Sequence, residues 1–147
     1  MKLKLKPVIV LFKAAQSLIN NVKVSLKDSV LTINEFTVME ALFTKGELVT
    51  QELAEKILIP NSSLTYVLDI LEKKQYIQRK RDPNDRRRQL LCLTDEGRTI
   101  FSDVYDVHYE YMSNIRNVLT EEERKQLENL LKKVGKRAEE KLDDANC

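Results

Sequence analysis

The 147-residue chain has the length of one domain, enough for a sizeable core but near the lower edge for two independent ones. Hydrophobic residues make up 42% and charged residues 33%, with three glycines and three prolines, a balance that excludes a disordered chain and favours long helices with few breaks. A net charge of +2 excludes a polycation, so any attraction to nucleic acid must come from local clustering of charge. Such a cluster is present. Six Lys/Arg stand between Arg79 and Arg88 beside Asp82 and Asp85, while acidic residues gather among lysines from Thr120 to Asp144. Cys92 and Cys147 lie far apart, and the opening MKLKLKPVIVLF is basic then apolar without a small-residue cleavage site. No apolar run approaches the roughly 18 residues of a membrane span. The expectation is a reduced, cytoplasmic protein with no disulfide framework and no membrane association.

From Pro7, the apolar positions Val8, Leu11, Phe12, Ala15, Leu18, Ile19, Val22 and Leu26 recur at spacings of three and four, which predicts an amphipathic helix to about Lys27. Thr32 with Glu35 makes a capping box, each side chain satisfying the other residue's free backbone N–H, and opens a helix carrying Phe36, Met39, Leu42 and Phe43. Lys45-Gly46 ends it. Thr50 is placed to cap a short third helix, QELAEKI. Pro60-Asn61 starts a fourth, NSSLTYVLDILEKK, with Leu64, Val67, Leu68 and Leu71 on its inner face. Two short helices joined by a brief turn make a helix-turn-helix candidate. Tyr76–Arg81 and Arg88–Leu93 then flank the turn residues DPND and predict a β-hairpin, the imperfect alternation of Leu90, Leu91 and Leu93 implying one largely covered strand.

Thr94-Asp95 caps a fifth helix whose stripe is Ile100, Phe101, Val104, Tyr105, His108, Tyr111, Met112 and Ile115. A second capping box, Thr120 with Glu123, opens a sixth that carries Leu127, Leu130, Leu131, Val134, Ala138 and Leu142. The first, fifth and sixth helices bring more apolar surface than a small middle domain can cover. The surplus calls for a partner, most simply a second copy of the chain.

This order of elements resembles the winged-helix transcription regulators of the MarR family. The likeness runs through LTINEFTVMEAL, TQELAEKILIPNSSLTYVLDILEKKQYI and the wing motif DPNDRRRQLLCLTDEG, and covers nearly the whole chain. It implies a mainly α fold with a small β-hairpin wing: a single domain, residues 1–147, in which 31–94 form a winged helix-turn-helix lobe and 1–30 and 95–147 supply dimerisation helices. Two positions depart from the family: Tyr66 stands where Arg is common after the recognition-helix Thr, and Gln75 where Gly is common before the first wing strand. The first leaves base readout open; the second suggests a slightly different turn.

The resemblance implies a homodimer on a pseudo-palindromic double-stranded operator. Asn61, Ser62, Ser63, Thr65 and Tyr66 on the recognition helix carry hydroxyl and amide groups that can bond to base edges or phosphates, although the same residue types also suit a plain helix start. In the wing, Arg79, Arg81, Asp85, Arg86, Arg87 and Arg88 are the candidates. Arg87 is expected in the minor groove with Asp85 orienting its guanidinium, and Arg86 or Arg88 on the backbone. A solvated charged turn is the plainer reading of the same residues.

Family members commonly respond to small aromatic or phenolic molecules, some of them quinone-related, or to oxidants through a cysteine. The resemblance therefore implies an effector pocket, for which Phe12, Phe36, Met39, Glu40, Phe43, Tyr105, His108 and Tyr111 are candidates; an ordinary core with one satisfied histidine is the alternative. Neither cysteine has a neighbouring motif that would lower its pKa, so thiol-based redox sensing is the lesser possibility. One His and two distant Cys give no metal-ligand spacing. No nucleophile with a base, phosphate loop or paired carboxylate points to catalysis or a cofactor. A helical protein-interaction module without DNA binding is the remaining alternative.

Overall fold

The computed structural model describes residues 4–147, apart from the side chain of Asn61. Its elements run α1 (Lys6–Ser25), α2 (Ile33–Lys45), β1 (Leu48–Val49), α3 (Thr50–Lys56), α4 (Asn61–Lys73), β2 (Ile77–Arg81), β3 (Gln89–Leu93), α5 (Asp95–Arg116) and α6 (Glu121–Asn146). The chain divides into two compact units, one ending at Met112 and the other spanning Ser113–Cys147.

Local sequence accounts for most boundaries. Thr32 Oγ1 accepts from the Glu35 N–H at 3.2 Å while Glu35 Oε2 accepts from the Thr32 N–H at 2.8 Å, completing the expected box at the start of α2. The second box, Thr120 with Glu123, has the same geometry at the start of α6. Gly46 ends α2 with φ +81°, a left-handed conformation that glycine adopts without a Cβ clash. Thr50 is not a cap, contrary to expectation. It is the first residue of α3, and the N-terminal contact comes instead from Glu52, whose Oε2 accepts from the Val49 N–H at 3.1 Å.

Strand β1 was not anticipated from sequence. It pairs antiparallel with β3 through Leu48↔Leu91 and Val49↔Leu90, so the sheet order is β1-β3-β2 and β3 is the central strand. That position explains why Leu91, Cys92 and Leu93 are all buried rather than alternating. The hairpin register runs from Ile77↔Leu93 to Arg81↔Gln89.

The core gathers Leu26, Leu31, Phe36, Val38, Met39 and Leu42 with Leu53, Ile57 and Ile59 of the helix-turn-helix, the inner face of α4, and the sheet residues Ile77, Leu91 and Leu93. On α4, Leu64, Val67, Leu68 and Leu71 are buried as their helical spacing predicts, each contributing about 1.5–3 kcal/mol of transfer free energy. Phe101 reaches into this core from α5, its ring 5.3 Å from Phe36 and 4.9 Å from Phe43.

Two tight joints aim the wing. α4 ends in a Schellman motif: the Tyr76 N–H donates to the Leu71 carbonyl at 3.0 Å and the Gln75 N–H to Glu72 at 2.9 Å, with Gln75 at φ +61°. Gln75 thus holds the left-handed conformation for which glycine is the usual residue. After β3, the Thr94 N–H donates to the Tyr76 carbonyl at 3.0 Å and Thr94 Oγ1 caps the Gly97 N–H at 2.9 Å. A Cβ on Gly97 would lie 1.9 Å from the Tyr76 oxygen, so this position has to be glycine for α5 to start against the hairpin.

Candidate nucleic-acid interface

Helix α4 presents two unlike faces. Opposite the buried Leu64, Val67, Leu68 and Leu71, it exposes Ser62, Thr65, Tyr66 and Asp69, with Ser63 half-buried. Tyr66 is 68% exposed, and among the described residues its hydroxyl has no hydrogen-bond partner. The side chain of Asn61 lies outside the described residues. A shallow cleft of about 500 Å³ borders this face, lined by Asn34 and Glu35 of α2 and by Ser62, Ser63 and Tyr66.

The wing turn is held by its own acids. Asp82 is nearly buried and its Oδ1 accepts from the Asn84 N–H at 2.8 Å, while Asp85 Oδ1 accepts from the Arg87 N–H at 2.9 Å. Both are Asx turns, in which a carboxylate takes the place of a backbone acceptor and fixes the chain direction. The Arg88 N–H closes the loop on the Asp85 carbonyl at 2.9 Å, and the Asp82 N–H donates to the Arg88 carbonyl at 3.0 Å. The guanidinium contact expected from Asp85 is therefore absent: its carboxylate is engaged by the main chain of Arg87, which shapes the tip rather than aiming the side chain.

The six clustered cations divide into two groups. Arg79 is tied back to α4, with Asp69 at 3.1 Å and Glu72 at 3.4 Å; Lys80 meets Glu47 at 3.4 Å; and Arg88 meets Glu52 of α3 at 3.5 Å. Coulombic attraction to Cys92, then the hydrogen bond to Glu47, raises the Lys80 ammonium above the ordinary lysine range. Arg81, Arg86 and Arg87 are exposed and have no ion-pair partner among the described residues. Exposed ion pairs add little to stability, so the bridges from Arg79, Lys80 and Arg88 matter by holding the wing base to α4, to the residue before β1, and to α3. Sequence gave no signal for this division, because the acidic partners lie 7 to 36 residues away from the basic run.

The aromatic residues expected to converge do so only in part. Phe36 and Met39 are buried in the core, and Phe12 is 69% exposed on α1. Tyr111 donates its hydroxyl to Asn21 Oδ1 at 3.0 Å on the α1–α5 surface. Glu40, Phe43 and Tyr105 come together with Phe101 and Asp106 around a cleft of about 310 Å³ between α2 and α5. Beside them, the His108 ring lies 4.9 Å from Phe36 and 6.4 Å from Tyr105, with Nδ1 2.8 Å from Ser25 Oγ. Partial burial shifts the Glu40 carboxyl upward from its ordinary value and the His108 imidazole downward. Cys92 is buried with its Sγ towards the Gln78 carbonyl at 3.8 Å, and Cys147 is exposed.

The arrangement of a helix-turn-helix followed by a basic-tipped hairpin has clear counterparts among known proteins. The MarR family model matches residues 31–88, the lobe from the α2 cap to the wing tip. The HTH-type transcriptional regulator MhqR of Bacillus subtilis (strain 168) is 35% identical over 136 residues, covering 92% of this chain and 94% of its own length. The chain belongs to the MarR family. It is therefore a DNA-binding transcription regulator of the winged-helix type and not an enzyme. Among solved structures, NadR in complex with 4-hydroxyphenylacetate is similar with a TM-score of 0.78 and 29% identity, over 91% of this chain and 97% of that one. A cysteine-to-serine mutant of MarR from E. coli, complexed with operator DNA, gives a TM-score of 0.65 at 27% identity, covering 90% of this chain and 99% of the other. The mainly α architecture with a small antiparallel sheet is common to this MarR-family chain and those structures.

Proposed function

We propose that this MarR-family regulator is a homodimeric repressor that holds a pseudo-palindromic operator through α4 and the wing and leaves it on binding a small aromatic or phenolic effector. The observation that carries the DNA contact is the pair Arg86 and Arg87, exposed and, among the described residues, without an ion-pair partner, at the tip of a turn whose backbone Asp82 and Asp85 fix. An arginine so placed suits the narrow minor groove or adjacent phosphates, while the polar face Ser62, Ser63, Thr65 and Tyr66, with Asn61 at its start, suits the major groove. Arg81 and Arg88 supply phosphate contacts at the base of the wing, and Arg79 braces it. Dimerisation is supported by the apolar surface that each helix leaves uncovered: Val10 and Phe12 on α1, Val107 and Tyr109 on α5, Leu130 and Val134 on α6. A DNA-bound regulator of this kind works in the cytoplasm, and among the described residues no helix is long and apolar enough to cross a membrane.

The effector reading rests on the cleft between α2 and α5. Its volume suits a single ring, its walls include Phe43, Phe101 and Tyr105, and the Glu40 carboxylate at its edge can accept a hydrogen bond from a phenol. The likeness to NadR, whose structure holds 4-hydroxyphenylacetate, supports the same ligand class. An effector dissociates the complex only through different affinities for two states, here two spacings of the paired recognition helices. The test is a screen of phenols and hydroxy-aromatic acids against the protein on DNA recovered from genomic fragments. The expected result is release of DNA by a subset of compounds that also raise the thermal stability of the free protein. If no compound does either, the effector reading is abandoned while operator binding stands.

A further inference from the structure

The exposed face of α4 is short of charge in a way that bears on which base pairs it reads. From Ser62 to Asp69 it offers two serines, a threonine, a tyrosine and one aspartate, and that aspartate is already engaged by Arg79. The first cation on the helix is Lys73, in its last turn, about 16 Å along the axis from Ser62. Helix-turn-helix proteins contact base edges with the N-terminal part of the recognition helix. Guanine is read there chiefly by arginine or lysine at O6 and N7, and this face has neither. What it has is a phenol ring, 68% exposed and with a hydroxyl that has no partner among the described residues, and the methyl group of Thr65 on the preceding residue. Apolar contact with the C5-methyl group is how side chains of this kind distinguish thymine.

We propose that α4 reads A·T pairs in each operator half-site and that Tyr66 is the specificity-determining residue, its ring packing on a thymine methyl group with Thr65 beside it. The inference rests on the DNA-binding reading above and deepens it. Tyr66 suits the role because its side chain is mostly exposed and, among the described residues, makes no hydrogen bond, so the ring can be replaced without disturbing α4. The serines at positions 62 and 63 bond to phosphate or to either base and add little discrimination.

The experiment selects duplexes from a random library with the purified full-length protein, then replaces each thymine of the selected half-site singly by uracil, which removes only the methyl group. One thymine is expected to lose about fourfold in affinity on replacement, the worth of one buried methyl. That loss should vanish in Tyr66→Ala and persist in Tyr66→Phe, which keeps the ring. Circular dichroism of both variants confirms that they fold. Library selection with Tyr66→Arg should shift the same position towards G·C. If no thymine responds to uracil in a half-site the wild type binds, or if the response survives in Tyr66→Ala, Tyr66 does not set specificity. Failure of the wild type to enrich any duplex would overturn the DNA-binding reading itself, and this inference with it.

Discussion

Two arginines of the wing should behave differently towards salt. Arg86 has no acidic partner among the described residues, so when it reaches a phosphate it displaces a condensed cation from the DNA; Arg79 is already compensated by Asp69 and Glu72 and displaces none. Each phosphate contact contributes about 0.9 to the slope of log affinity against log salt, so Arg86→Ala in both protomers should flatten that slope by about 1.8. Between about 50 and 200 mM salt, the variant should then lose roughly twelvefold less affinity than the wild type. Arg79→Ala should weaken binding by loosening the wing base while its line stays parallel to the wild type. Fluorescence anisotropy with a labelled duplex carrying the selected operator, titrated at four or five salt concentrations, gives all three slopes. An Arg86→Ala line parallel to the wild type, or an Arg79→Ala line as flat as the one expected for Arg86→Ala, would refute the division of the cations into bound and free.

Gln75→Gly should stabilise the protein by about 0.5–1 kcal/mol, since glycine occupies φ +61° without the Cβ conflict and the Schellman hydrogen bonds are retained. Urea unfolding measures this, and a destabilised variant would show that the glutamine side chain makes a contribution the turn depends on. His108 gives a pH dependence: burial lowers its folded pKa, so the unfolded chain binds more protons, and stability is complete above the ordinary histidine value and lost as pH falls from there through the lower folded value. His108→Gln should flatten stability against pH in that window; equal slopes for the variant and wild type would rule the histidine out as the source.

The legible parts of the chain were those where cause and effect are close in sequence. Thr32 with Glu35 and Thr120 with Glu123 act across three residues, and Asp82 to Asp85 turn the chain they belong to; each was readable and each forms. Strand β1 was missed because two residues cannot show alternation, and its partner β3 lies over forty positions away. The cleft proposed for an effector was only half readable for a related reason. Helical spacing puts Phe36, Met39, Glu40 and Phe43 on one stripe of α2, yet Phe36 and Met39 enter the core while Glu40 and Phe43 border a cleft whose other wall, Phe101 and Tyr105, lies some sixty residues on. The role of Arg79 was hidden among identical neighbours, since its distinction comes from Asp69 and Glu72 on the helix before it. Gln75 is the reverse case, where the departure from the family pattern was visible but the backbone kept the glycine-like conformation regardless.

On the proposed reading, the wing tip grips the operator through arginines that the fold itself does not need. Equilibrium binding of the wild type and Arg87→Ala to the selected duplex at one fixed salt concentration tests it most directly, with thermal unfolding of both proteins measured alongside. Arg87→Ala should lose about 1–3 kcal/mol in binding, five- to 150-fold in Kd, with an unchanged Tm. Equal affinities would contradict that reading.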